Sequence, residues 1–206
     1  MDLLFLFPFA RTKTKTGNQK VSCSFFHKLL FSHSLKNKSV LLDAAECIGQ
    51  DYASSPFWEK YLEFESQNGE NGKVSEIYTR IIRIPLNNLS SFYERFVAHA
   101  FERPFSDFTE SKLAFEGINL HSQSIEQQKR EFMTIYEQIY NQTNNKLEQI
   151  KKYEEIISSR SYFHNKEQTE EHLQNWHNYL DFELSQKEND HNRVVSLFER
   201  CLIACV

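Results

Sequence analysis

The sequence predicts an all-α chain: antiparallel helix hairpins stacked as repeats in a right-handed α-α superhelix. Three observations carry this. Only 5 Gly and 4 Pro occur among 206 residues, which leaves too few turn formers for a many-stranded sandwich or a Gly-rich nucleotide fold. The hydrophobic share of 40% is too high for a disordered chain and sufficient for a core or a short run of repeats. Finally, Trp58-Glu-Lys-Tyr61-Leu62-Glu-Phe64-Glu65 recurs as Trp176-His-Asn-Tyr179-Leu180-Asp-Phe182-Glu183, with Trp, Tyr, Leu, Phe and Glu at the same offsets in a chain that holds only 2 Trp.

The first element, residues 1–38, is a basic leader. Residues 1–42 sum to +6 and residues 43–206 to −10, so the total of −4 hides a basic leader on an acidic body. The apolar run Leu3 to Ala10 is far short of the ~20 residues that a membrane span needs. No membrane partner is expected. Asp2 precedes that run and Arg11, Lys13 and Lys15 follow it, the reverse of a secretory signal. The acid-poor, Ser/Thr-rich stretch to Lys38 also fits a mitochondrial presequence; a poorly ordered basic arm or a mis-assigned reading-frame start is preferred.

Helical repeats are expected over residues 39–100. Val40 to Gly49 looks like the second helix of one unit, with Gly49 near its C-cap. The first clear hairpin is 56–85. After the turn Gln67 to Gly72, the residues Val74, Ile77, Tyr78, Ile81 and Ile82 recur at spacings of three and four, on one helical face. Pro85 stops that helix, and 89–100 reads as the next first helix. Residues 101–123, with Pro104 and Gly117, have no sustained period and read as a connection. Across 124–160 the apolar positions Ile125, Phe132, Ile135, Tyr136, Ile139, Tyr140, Leu147, Ile150, Tyr153, Ile156 and Ile157 keep helical spacing. The polar run Asn141 to Asn145 leaves one helix or two open. Residues 161–206 form the second clear hairpin, its second helix marked by Val194, Leu197, Phe198, Cys201 and Leu202.

One hairpin cannot cover its own apolar face, so Trp58, Tyr61, Leu62, Phe64, Ile77, Tyr78, Ile81, Trp176, Tyr179, Leu180, Phe182, Leu197 and Phe198 are expected to pack repeat on repeat. Both tryptophans lie in apolar stripes, which favours burial over stacking on a nucleic-acid base. Glu65 and Glu183 recur with Arg80 and Arg200; salt bridges or caps within a hairpin are preferred over a partner-facing strip. Tyr162-Phe163-His164 is either an exposed aromatic loop or, preferably, a staple between the long helix and the second hairpin.

Catalytic chemistry is not supported, since no Walker, dinucleotide, HExxH or GxSxG pattern occurs. His172 and His177 fall on different helical faces, and Cys201 with Cys205 lacks a second pair. Neither a metal nor a cofactor is therefore expected. The 4 cysteines lack the density of a disulfide scaffold.

The Trp-Tyr-Phe-Glu first helix, followed by Ile77-Tyr78-Thr79-Arg80 or Leu197-Phe198-Glu199-Arg200, resembles the half-a-TPR (HAT) repeat of RNA-processing proteins. Ser159 to His164, Leu173 to Glu183 and Arg193 to Cys201 resemble the central segment of the pre-mRNA-processing factor 39 family, and Phe57 to Pro85 an earlier repeat of it. Residues 1–40 do not show that likeness. The resemblance implies a nuclear scaffold associated with the U1 small nuclear ribonucleoprotein (snRNP) in 5′ splice-site recognition. It implies contacts with U1 snRNP proteins and a homodimer or paralogue heterodimer formed through C-terminal repeats. On the family pattern Val206 falls inside a second helix, so an aggregation-prone slice of a longer solenoid is expected; a monodisperse, cooperatively melting monomer would refute this. The rival functions are another HAT pathway, 3′-end cleavage or ribosome biogenesis, and an organellar helical-repeat RNA binder using the basic leader.

Overall fold

Apolar residues spaced three and four apart become helices throughout the described part of the chain. The computed structural model describes residues 38–109, 115, 121, 124–158, 169–186 and 191–205. The leader up to residue 37 and Tyr162-Phe163-His164 lie outside these. The described helices are α1 (Lys38–Cys47), α2 (Ser55–Gln67), α3 (Asn71–Ile81), α4 (Leu89–Glu102), the single turn α5 (Ser106–Thr109), α6 (Ile125–Ile157), α7 (Glu170–Ser185) and α8 (His191–Cys205). Neighbours in sequence pack together: α2 on α3, α3 on α4, α6 on α7 and α7 on α8.

Local chemistry sets the boundaries. Pro56 occupies the first turn of α2, where its missing N–H costs nothing. The α2–α3 turn closes on Gly69 at φ +74, a left-handed conformation that an L side chain would strain. The Asn68 and Glu70 amides there donate to the Phe64 and Glu65 carbonyls at 3.2 and 3.1 Å. Thr169 caps α7, its hydroxyl accepting from the His172 amide at 3.3 Å, and Glu170 and Glu171 in the first turn complement the helix dipole.

Two cores form. The first joins α1 to α5 with the N-terminal half of α6, through Trp58, Phe92, Phe96, Phe108, Phe132 and Tyr136. The second joins the C-terminal half of α6 to α7 and α8, through Leu147, Ile150, Trp176, Tyr179 and Leu197. Leu89 at the start of α4 belongs to the second core, and Tyr52 packs against it. Between the cores the Tyr93 and Tyr140 rings stack at 4.0 Å.

One question left open is answered here and two readings change. The polar run at 141–145 does not break the helix: α6 is continuous over 33 residues. Tyr136, Thr143, Ile150 and Ile157 recur every seven residues on its buried face, and Thr143 satisfies its hydroxyl on the Ile139 carbonyl at 2.9 Å, while Asn141, Gln142 and Asn145 face solvent. Ile125 and Ile156, read as part of the apolar stripe, are exposed: Ile125 is the first residue of the helix, two turns before buried Phe132, and Ile156 falls off that seven-residue register. The connecting region supplies core: Phe105 and Phe108 around α5 are buried and contact Phe132 at 5.6 and 5.4 Å between ring centres. One helical turn is too short to show a period.

Candidate interaction surface

The two tryptophans recur because each forms the floor for an arginine of its own hairpin. The Arg80 guanidinium lies 5.4 Å from the Trp58 ring centre and that of Arg200 5.6 Å from Trp176, within cation–π range. Trp58 is fully buried, and its indole N–H donates to the Gly49 carbonyl at 3.0 Å. The Ser54 hydroxyl donates to the same oxygen at 3.0 Å. A Cβ on Gly49 would collide with the Ala45 carbonyl oxygen and come within 2.8 Å of the Trp58 ring. Close backbone approach, beyond any capping role, thus requires glycine there.

The expected partnership of Glu65 with Arg80 and of Glu183 with Arg200 is not what the structure contains. Each arginine reaches back to the preceding helix instead. Arg80 Nη2 donates to Glu46 Oε1 at 2.9 Å and to the Ala45 carbonyl at 3.1 Å, both on α1. Arg200 Nη2 donates to Glu154 Oε1 on α6 at 2.5 Å, and Nη1 to Asp51 Oδ2 at 3.2 Å. The physical reason is distance along the axis: a tryptophan and a glutamate seven residues apart share a helix face but sit about 10 Å apart along it, so an arginine lying across the indole is held away from the glutamate. Glu183 takes Arg193 in its place, at 2.7 Å, whereas Glu65, fully buried, has Lys38 Nζ at 3.5 Å. Lys73 occupies the position in its hairpin that Arg193 holds in the other, and pairs with Glu76 at 2.7 Å.

Around Arg200 these contacts merge into a buried ionic network. The Tyr179 hydroxyl donates to Glu154 Oε1 at 2.7 Å, and Arg193 Nη2 donates to the Tyr179 oxygen at 3.2 Å. Burial raises the pKa of the Glu154 carboxyl, with Arg200 opposing the shift, and burial together with Glu154 raises that of Tyr179. Burial also works against the Arg193 charge, but the hydrogen bond to Glu183 together with the neighbouring Tyr179, Glu183 and Glu154 outweighs it and the pKa rises. Arg200 and Asp51 are 149 positions apart, so the second hairpin is tied to the α1–α2 connection of the first core as well as to its own neighbour. A stack of repeats touching only the adjacent repeat lacks such a tie.

Of the residues expected to pack, Trp58, Tyr61, Leu62, Ile77, Tyr78, Ile81, Trp176, Tyr179, Leu180 and Leu197 are buried, while Phe64, Phe182 and Phe198 are half-buried against the cores. His172 is buried edge-on to Trp176, and His177 is exposed. The Cys201 and Cys205 sulfurs are 3.8 Å apart and partly buried. Among the described residues no group of three or more His, Cys, Asp or Glu is placed to hold a metal, and no helix is long and apolar enough to cross a membrane.

Two surface depressions among the described residues bear on contact with a partner. A cleft of about 430 Å3 is lined by Glu59, Leu62 and Glu63 of α2, Val74 and Tyr78 of α3, and Arg95 and His99 of α4. Arg95 Nη1 donates to both Glu59 oxygens at 2.6 and 2.7 Å, and His99 Nε2 lies 2.9 Å from the Ser75 hydroxyl. Burial, then Arg103, pushes the His99 pKa below the ordinary histidine value. The second is an apolar groove of about 450 Å3 between the end of α4 and the start of α6.

The family model described as PRP39 N-terminal HAT repeat matches residues 22–98, and that of the PRP39 C-terminal HAT repeat matches 148–206. The chain belongs to the PRP39 HAT-repeat family. Pre-mRNA-processing factor 39 of Schizosaccharomyces pombe is 33% identical over 190 residues, covering 82% of this chain and 30% of that protein. The Xenopus laevis and Homo sapiens proteins of the same name are each 29% identical, covering 84% and 76% of this chain and 30% and 28% of their own lengths. The chain therefore spans about 30% of the curated relatives it matches. In family terms the PRP39 N-terminal match falls mostly on the first core and the C-terminal match on the second. The N-terminal match also corrects the leader: residues 22–38 fall inside the family. Phe25, Phe26, Leu29 and Leu30 keep helical spacing there beneath a basic composition that hid it.

Proposed function

We propose that the chain is a non-catalytic helical-repeat scaffold of pre-mRNA splicing, associated in the nucleus with the U1 snRNP and acting in 5′ splice-site recognition through contacts with U1 snRNP proteins. The observation that carries this is membership of the PRP39 HAT-repeat family, whose curated relatives are named pre-mRNA-processing factors. The disposition of polar groups supports a scaffold. The recurrent arginines are spent on their own tryptophans and on the helices before them, which leaves clefts at the surface as the places for contact. Protein rather than RNA contact is supported by the burial of both tryptophans, which removes them as base-stacking platforms, and by the −10 charge of residues 43–206. In the longer protein a homodimer or paralogue heterodimer belongs to the same proposal.

The test is affinity purification of the tagged chain from nuclear extract, with and without ribonuclease. U1 snRNP proteins retained after ribonuclease treatment are the expected result. Their loss with the RNA would overturn the protein-contact reading.

A further inference from the structure

We propose that the groove between the end of α4 and the first turns of α6 docks a short acidic segment of a protein partner, anchored by an aromatic or aliphatic side chain. The proposal rests on the reading of the chain as a protein-binding scaffold. The groove has about 450 Å3 and is lined by Ala100, Phe101, Glu126, Lys129, Arg130, Met133 and Thr134. Phe101 is 77% exposed, the highest value for a large apolar side chain among the described residues. A ring left in water forfeits the transfer free energy that a covering apolar group would return. Beside it Met133 is half-buried, an adaptable thioether that packs well against aromatic rings.

The rim chooses the sign of the occupant. Arg130 is exposed and pairs with no carboxylate among the described residues. Lys129 Nζ donates to the Arg103 carbonyl at 3.1 Å, and no ion pair joins it to a carboxylate among the described residues. Glu126, 3.4 Å from the Ser124 hydroxyl, is the one acid on the rim among the described residues. Two cations against one carboxylate make a local reversal on a body that sums to −10, and a carboxylate placed beside an aromatic or aliphatic anchor would satisfy both parts of the groove. Single-stranded RNA needs an extended cationic track; two cations beside Glu126 do not make one.

The chain holds only 2 Met, Met1 and Met133, so methyl-13C methionine labelling of the full 206-residue chain places a reporter in the groove. The probes are three peptides, acetyl-Glu-Glu-Phe-Leu-Glu-Glu-amide, the same with Lys for Glu, and the same with Ala for Phe and Leu, together with a decauridylate RNA. A saturable shift of the Met133 methyl is expected from the first peptide alone. Arg130→Glu and Phe101→Ala should each weaken it about tenfold, the loss of one charge-assisted or buried anchor. Both sites are exposed, so melting curves should match the parent chain. A shift with the lysine or alanine peptide of equal affinity, saturation by the RNA, no shift at all, or a Met133 shift that tracks protein concentration and dimer formation would each overturn the proposal. A failed titration with U1 snRNP proteins still co-purifying removes the groove alone; the converse removes the scaffold reading alone.

Discussion

Replacing Arg200 with Met should be among the most damaging single changes in the chain. Arg200 is 5% exposed, and its partners Glu154 and Asp51 are 3% and 7% exposed. Removing the cation leaves two carboxylates buried without it, and breaking a buried pair in this way costs about 3–5 kcal/mol. For a chain of this size that is a fall in Tm of roughly 6–20 °C. The pH dependence has a defined sign. Burial already holds the folded pKa of Glu154 above its unfolded value, so its contribution is most favourable below the unfolded pKa and declines as pH rises through the folded one. Without Arg200 that pKa rises further, and the loss should be larger at pH 7 than at pH 5. Adding Glu154→Gln to Arg200→Met should recover part of it. Circular-dichroism melts of the parent, both single variants and the double variant give the coupling. A loss below about 1 kcal/mol for Arg200→Met, the usual value of an exposed pair such as Arg95–Glu59, would refute the reasoning, as would strict additivity in the double variant.

Three further outcomes follow from the same contacts. Lys73→Arg should let the first hairpin copy the Arg193–Glu183 pair by reaching buried Glu65, with a gain of about 1 kcal/mol seen as a higher Tm; an unchanged Tm would show that the two hairpins differ in geometry there. Gly49→Ala should destabilise by more than about 2 kcal/mol, because the added Cβ meets the Ala45 carbonyl and the Trp58 ring. His99 has a depressed folded pKa, so its contribution to stability is present above the ordinary histidine value and is lost as pH falls through the folded one. His99→Gln should accordingly flatten the decline in Tm between pH 7.5 and 5.

The hairpins were legible because Trp58 and Trp176 mark a repeat that needs no long-range information, and Gly49 stood out as the end of a helix. The partners of the recurrent charges were not. Recurrence shows that Arg80 and Arg200 matter to each hairpin, but which neighbour each reaches depends on its place along the helix axis and on what the preceding helix presents. Asp51 carries no periodic signal linking it to Arg200, 149 positions away. Thr143 hid within a polar run although it holds a place in the seven-residue register, and Phe105 and Phe108 lie where one turn of helix gives no period to detect. The Phe101 groove had no sequence signal beyond an apolar residue at the end of α4, because an exposed ring and a buried one look alike until the neighbouring helix is placed.

The most direct measurement of the proposed function is the identity of the RNA recovered with the tagged chain from nuclear extract. U1 small nuclear RNA should be enriched at least about tenfold over U2 and over pre-ribosomal RNA, the ratio expected when a specific complex outcompetes background by ~1.4 kcal/mol or more. Recovery of U1 at the level of the other RNAs, or enrichment of pre-ribosomal RNA in its place, would contradict a role in 5′ splice-site recognition.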